Sequence, residues 1–355
     1  MRYNLIFSLI TLIGIILSFG CINSQTQDES RQIRQRGEPG PKPFVERLVK
    51  VGTKDDVGYP SPLLVYNNSL YVAASDDIKK LQGDEWVPVA TGDKVGQVNS
   101  FVIYGEELYA GSSRGIFKLK GDGWLQTSNK FTYVFKIYND QLYAGGDGIT
   151  KLKGDRWVEL ESVDKVGFIH APFIVYGDEL YSQNVYKGAF KLEGDKFVKS
   201  DALSVVGEAA FLPMKSIKYK NEWYVGGDRG IFKSKGEKLV KSASYEEVGD
   251  VAAFTVYKDE LYAATRKGIF KLQGDKWIQL AGKDKTEIVE FFFIEYGNNL
   301  YAASRSGVFR LKEDGWVEVA GKSQLENPSY MYSLPIYNDE LYITTDTGIY
   351  KLTTK

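Results

Sequence analysis

Residues 254–282 read FTVYKDELYAATRKGIFKLQGDKWIQLAG, and this stretch decides the fold. Phe254 to Tyr257 is a short apolar run of β-forming residues, and Lys258-Asp259 is a polar turn. Leu261 to Thr265 is a second run, ended by Arg266-Lys267-Gly268. Ile269 to Leu272 is a third, and Gln273-Gly274-Asp275-Lys276 turns the chain into a fourth that begins at Trp277. Short runs separated by Gly- and Asp-bearing turns predict an antiparallel meander of four strands. A helix would need apolar residues three and four apart over ten or more positions, and no run is that long.

The unit recurs along the chain. Its second strand carries Tyr71, Tyr109, Tyr143, Tyr181, Tyr224, Tyr262, Tyr301 and Tyr342, at intervals of 38, 34, 38, 43, 38, 39 and 41 residues. Four strands repeated every ~40–45 residues is the period of a propeller blade. The drift in spacing fits constant blades joined by connections of variable length. The last unit, LPIYNDELYITTDTGIYKLTTK, contains three strands and lacks the fourth. Phe44 to Val49, FVERLV, resembles WVEVA at Trp316 to Ala320 and precedes the first complete unit. The expected fold is therefore an all-β, eight-bladed β-propeller, four antiparallel strands per blade, in which the N-terminal strand completes the C-terminal blade. Such closure removes an open sheet edge.

Three segments are expected: a targeting sequence at 1–20, a tether at 21–42 and the propeller at 43–355. Arg2 gives a short positive start, and Leu5 to Phe19 is apolar but shorter than the ~20 residues of a comfortable span. Cys21 is the chain's one cysteine and directly follows Gly20. Leu17-Ser18-Phe19-Gly20-Cys21 resembles a bacterial lipobox, which implies acylation of Cys21 and a lipid anchor; Gly20 fits the pattern, Ser18 and Phe19 depart from it. Ile22 after the cysteine resembles the outer-membrane form of that signal in Gram-negative cells. Cleavage after Gly20 into a secreted chain, or a retained apolar anchor, are the alternatives. The polar run to Lys42, rich in Gln, Ser, Arg, Gly and Pro, reads as a disordered tether.

Composition narrows the chemistry. Lys+Arg number 45 and Asp+Glu 46, so a net charge of −1 offers no basic field for nucleic acid. One Cys and one His exclude an internal disulfide framework and argue against a zinc site. No nucleophile elbow, phosphate loop or metal-ligand cluster is present, and no cofactor is expected. The evenly placed Tyr66, Tyr104, Tyr138, Tyr176, Tyr219, Tyr257, Tyr296 and Tyr337, which end the first strands, read as packing residues. Trp86, Trp124, Trp157, Trp277 and Trp316 read the same way, because a site uses some blades and not others. The Gly-Asp turns at Asp84, Asp122, Asp155, Asp195 and Asp275 are hairpin signals without the spaced carboxylates of a calcium loop.

A site is expected where the repeats differ, on the face shared by the turns between strands two and three and the loops between blades. Those turns offer a basic arc, Lys187, Arg229, Arg266, Lys267 and Arg305, opposite an acidic one, Asp346, Asp76 and Asp77. Arg114, Asp147 and Asp228 interrupt the pattern. The loops add Tyr59, Phe131, Tyr133, Phe168, His170, Phe211, Tyr245, Phe291, Tyr330 and Tyr332. Aromatic rings beside Arg suit a glycan or a peptide hot spot, and equally a plugged channel mouth. A recurrent Val-Gly step, at Val57-Gly58, Val95-Gly96, Val166-Gly167, Val206-Gly207 and Val248-Gly249, reads as a shared turn towards the channel.

The segments LYAGSSRGIFKL (108–119), LYAATRKGIFKL (261–272) and LYAASRSGVFRL (300–311) resemble the repeats of bacterial two-component-regulator sensor propellers and related BNR-like propellers. The resemblance spans nearly all of 44–355 and implies a fold without an activity. The sialidase Asp-box is not met, since the LQGDKW turn lacks its leading Ser, and quinone-dependent eight-bladed dehydrogenases are longer with other Trp motifs. The expectation is a monomeric, non-enzymatic ring tethered to the cell envelope that binds an envelope protein or an extracellular glycan. A polysaccharide lyase or glycosidase acting on the same face is the alternative.

Overall fold

The computed structural model describes residues 46–58, 62–74, 77–162, 173–184, 187–207, 214–282, 291–313 and 315–354. The segments expected to be signal and tether, with Cys21, lie outside these residues, as do Tyr59, Asp76, Val166, Gly167, Phe168, His170 and Phe211. The described chain forms eight separate sheets that make an eight-bladed propeller of antiparallel strands. Blades 1 to 7 occupy 63–90, 98–128, 132–159, 174–200, 215–244, 251–282 and 291–321. Blade 8 combines 331–354 with the N-terminal strand Glu46–Gly52.

Closure occurs as the repeat pattern requires, with shifted bounds. Glu46–Gly52 pairs antiparallel with Gly348–Thr354, placing Leu48 opposite Leu352 and Val49 opposite Lys351. Within the described residues the strand runs from Glu46 to Gly52, three residues beyond Val49, and Phe44 lies outside them. Two sheets depart from four simple strands. In blade 8 the first strand is split into Met331–Ser333 and Ile336–Tyr337. Pro335 sits in the gap, where a residue without an N–H cannot serve a ladder, although its carbonyl still accepts from the Tyr342 amide at 2.9 Å. In blade 4 the pair Glu161–Ser162 adds a parallel fifth strand beside Lys196–Ser200.

Local rules explain the regular part. Every turn between strands one and two holds two successive residues at positive φ, for example Asn67 (46°) with Asn68 (52°) and Lys258 (48°) with Asp259 (59°). That is the type I′ geometry whose twist matches a two-residue hairpin. Second strands are buried almost throughout, as in Leu261 to Thr265, because both faces of a blade are covered by neighbours. First strands of adjacent blades touch each other and surround the central channel.

The repeated aromatics stitch blades together. The Tyr66 hydroxyl donates to the Glu106 carbonyl in the next blade at 2.8 Å, and Tyr104, Tyr138, Tyr219, Tyr257 and Tyr296 repeat the link. Tyr337 of blade 8 donates to Asn68 of blade 1 at 3.2 Å and so closes the circle. Trp277 packs edge-on against Tyr224 of the preceding blade and donates from Nε1 to Ser242 Oγ at 3.0 Å. Trp157 does the same against Tyr109 and Thr127 Oγ1. These rings are interblade core; a large aromatic so placed is worth about 3–5 kcal/mol against Ala.

Candidate functional site

The turns between strands two and three and the interblade loops do share one face. The amide of a turn residue donates to a loop carbonyl in blade after blade: Ser113 to Gln97 (2.8 Å), Asp147 to Phe131 (3.2 Å), Arg229 to Val206 (3.2 Å), Arg266 to Asp250 (2.8 Å) and Asp346 to Tyr330 (3.3 Å). The Val-Gly steps build this junction. Val95, Val206 and Val248 are fully buried, while Gly96 (φ 66°), Gly207 (144°) and Gly249 (79°) take backbone angles open to glycine. A Cβ on Gly207 would lie 1.6 Å from Asp228 Oδ1, and one on Gly96 would lie 2.4 Å from Ser113 Oγ. The steps therefore lead the chain onto the next blade's turn.

Several charges of the two arcs serve that junction. Arg266 Nε lies 2.5 Å from Oδ2 of Asp250, whose side chain is 9% exposed. The Lys267 ammonium donates to the Glu246 carbonyl. On the acidic side, Asp346 Oδ1 accepts from the amides of Ser329 (2.9 Å) and Tyr330 (3.1 Å), and Asp77 accepts from Gly92 (3.0 Å). These carboxylates hold loops in place. Arg305 is half-buried in the blade 7 turn. Among the aromatics, Tyr330 and Tyr332 stack nearly parallel at 8° with centroids 6.3 Å apart. Phe131 is half-buried, and Tyr133 is 36% exposed.

Lys187 and Arg229 come together. Both line a cavity of about 340 Å³ between blades 4 and 5, whose described walls include Gln183, Ala189, Lys199, Asp201, Leu203, Val205 and Met214. The volume falls within the range of small-ligand sites. Arg229 is oriented by an Nη1 bond to the Ser204 carbonyl at 3.2 Å. The Lys187 amide donates to Asn184 Oδ1 at 3.0 Å, which fixes the turn.

A second space, about 570 Å³, opens in the central channel between the first strands of blades 3 to 7. Lys136, Lys215 and Lys218 line it with Phe173, Phe254, Phe291 and Phe292. Lys215 keeps part of its surface open to the channel, yet protein surrounds it closely enough for burial to pull its pKa below the ordinary lysine value; Lys136 is shifted the same way. Among the described lining residues there is no carboxylate. Neither of these lysines nor Gln183 follows from the shared repeat. Their signal is a register mismatch: blade 3 alone has Lys two residues before its strand-one Tyr, and blade 4 alone has Gln two residues after its strand-two Tyr.

Among the described residues no group of three or more His, Cys, Asp or Glu could hold a metal ion. None of the described helices is long and apolar enough to cross a membrane.

No protein-family model matches the chain, and no curated protein matches it. Solved structures do. The extracellular domain of a one-component system from B. thetaiotaomicron superimposes with a TM-score of 0.51 at 18% identity over 72% of this chain. This chain spans only 38% of that one. BamB from Moraxella catarrhalis gives 0.54 at 10% identity, covering 86% of this chain and 97% of its own. The GH74 xyloglucanase from Xanthomonas campestris gives 0.50 at 14% identity, covering 81% and 49%. At these identities the likeness is one of fold.

Proposed function

We propose that the chain is a non-enzymatic binding or assembly module, exported and held on the cell envelope through Cys21, that recognises a partner on its interblade-loop face. The observation that carries this reading is the distribution of irregularity. Tyr and Trp positions repeat from blade to blade and are spent on packing, whereas the interblade face varies and holds the cavity of Lys187 and Arg229. An extracellular domain among the proteins of like fold fits an exported chain. The lipobox-like Leu17 to Cys21 supports the anchor, and the polar segment to Lys42 supplies a tether.

An envelope protein is favoured over a glycan as the partner. Sugar sites draw on exposed aromatic platforms, and the described walls of the cavity carry none. The enzymatic alternative is less well supported. Glycoside cleavage uses two carboxyl groups about 5–9.5 Å apart, and the cavity's described lining offers one, Asp201.

The test is site-specific photocrosslinking of the full chain in its native cell. A crosslinker at Lys187 or Arg229 should yield discrete adducts, and one at Asp140, on the opposite turns, should not. Adducts from Asp140 alone, or from neither face, would remove the proposal.

A further inference from the structure

The central channel, apart from the loop-face cavity, has a charge distribution that the repeat does not require. The charged side chains of the described first strands are Lys136, Lys215, Lys218 and Glu295. Four residues before its strand-one Tyr, blade 5 has Lys215 where blades 2, 6 and 7 have Ser100, Ala253 and Phe292. Two residues before it, blade 3 has Lys136 where blades 2, 4 and 6 have Val102, Ile174 and Thr255. Glu295 is exposed at the turn end of its strand, where its charge acts on Lys258, and it is not part of the described channel lining. Lys218 pairs with Asp178 at 3.3 Å and lies over the Trp223 ring at 5.7 Å. Lys136 and Lys215 have no such relief. Among the described residues no carboxylate acts on either, and burial alone shifts both, downward.

Both ammonium groups are open to a solute. Lys136 and Lys215 line the space of about 570 Å³, and each is half-buried. Neither Nζ is among the described side-chain nitrogens that are buried without a partner. The half-buried rings of Phe254 and Phe292, with Ala253 between their blades' neighbours, give the same space an apolar wall. Ser216 is the one hydroxyl of the described lining, and it already donates to the Val175 carbonyl at 2.7 Å. The described lining holds no carboxylate. We infer that the channel is a binding site for a small aryl carboxylic acid, its carboxylate drawn to Lys215 and Lys136 and its ring set against Phe254, Phe292 and Ala253.

The physical reason is the state of the two lysines without a ligand. Each has given up part of its hydration to the channel wall and has no protein anion in return. Attraction between opposite charges strengthens where water is excluded, so an anion entering this space gains more from each ammonium than it would at the surface. The apolar wall then selects the body that carries the charge. An acidic sugar would set several hydroxyls against Phe254 and Phe292, and the one hydroxyl of the described lining is already engaged. Inorganic phosphate would leave the rings unused. An aromatic body satisfies them, and the volume lies within the range of small-ligand sites.

The probes are phenylacetate, its neutral counterpart phenylacetamide, glucuronate and inorganic phosphate. Each is titrated calorimetrically into the full-length chain in a non-ionic detergent and chloride buffer at pH 7. Phenylacetate should bind about tenfold or more tightly than each of the other three. Lys215→Met and Lys136→Met should each weaken it by about tenfold, and Lys120→Met, at an exposed position outside the channel, should leave it unchanged. Melting curves supply a second reading that does not depend on the heat signal. Without ligand Lys215→Met should melt above the parent; with phenylacetate the parent should rise and the variant should not, because the ligand binds the native state through that lysine. Equal affinity for phenylacetate and phenylacetamide would overturn the inference, as would binding that both lysine variants retain. Tighter binding of glucuronate or phosphate would overturn it in favour of that anion, and no binding of any probe would remove the site. The loop-face crosslinks are decided separately, since the channel shares neither Lys187 nor Arg229.

Discussion

Glu46 Oε1 lies 3.2 Å from Arg310 Nη1, although 264 residues separate them. The Tyr301 hydroxyl donates to the same carboxylate. In blades 2, 4, 5 and 6 this Tyr takes its carboxylate locally: Glu107 serves Tyr109 and Lys118, and Glu260 serves Tyr262 and Lys271. Blade 7 has Asn299 where that glutamate would be. The N-terminal strand therefore brings a repeat's missing part to the blade beside its own.

That contact is buried, with side chains 9% and 11% exposed. Removing one partner of a buried pair is expected to cost about 3–5 kcal/mol. Glu46→Ala should lower stability by about that amount in urea unfolding. Glu107→Ala removes a carboxylate that is 44% exposed and 2.8 Å from Lys118, and should cost under about 1 kcal/mol. Equal losses would mean that Glu46 plays no part in closure beyond its own blade.

Removing residues 1–52 tests the closure itself. It strips Gly348–Thr354 of the partner strand and exposes an unpaired edge. Such edges recruit other chains. The truncated protein should leave a sizing column as oligomers or aggregate, and a chain beginning at Lys42 should not. A monomeric, equally stable truncation would show that blade 8 holds without its N-terminal strand.

The architecture was legible because it is written eight times. Type I′ turns, strand-two Tyr residues and fourth-strand Trp residues each follow from local chemistry that repetition makes visible. The shared face of turns and loops was legible for the same reason. The roles of the charges on it were not. Arg266 and Asp346 look alike in sequence to any solvated turn charge, and only folding brings Asp250 or the Ser329 amide to them. Gln183 and Lys215 escaped because what distinguishes them is a mismatch with other blades at one register, not a motif of their own.

Arg266 consequently makes a poor probe of ligand binding. Its charge reversal sets a carboxylate against Asp250, whose side chain is 9% exposed. Arg266→Glu should destabilise the fold by about 2 kcal/mol through that unpaired charge. Arg266→Gln combined with Asp250→Asn should recover most of the loss in the same chemical melt. No recovery would place the defect elsewhere in the blade 6 turn.

Lys215 predicts a pH effect whose sign is set by burial. Its folded pKa is lowered, so the unfolded chain holds the proton to higher pH than the native one. Stability then rises with pH between the folded value and the unfolded value of about 10.4, and the penalty is full below both. Lys215→Met should raise the melting temperature at pH 7, with the gain shrinking as pH approaches 10.5. A variant less stable than the parent at pH 7 would reveal an anion that neutralises this lysine in the channel.

The proposed anchor at Cys21 is open to a direct test. Several acyl chains, each CH₂ worth about 0.8 kcal/mol when buried in lipid, would anchor the chain firmly, whereas one chain alone binds reversibly. Cys21→Ser removes the acceptor thiol and leaves the propeller sequence untouched. The variant should move from the membrane pellet to the soluble fraction, or stall as an uncleaved precursor, and lose labelling by an alkynyl fatty acid. Its loop-face crosslinks should fall in parallel if the partner resides in the envelope, because the proposed tether would concentrate the ring beside it. Unchanged fractionation with no label on the parent would replace the lipid anchor by the retained apolar segment 5–19.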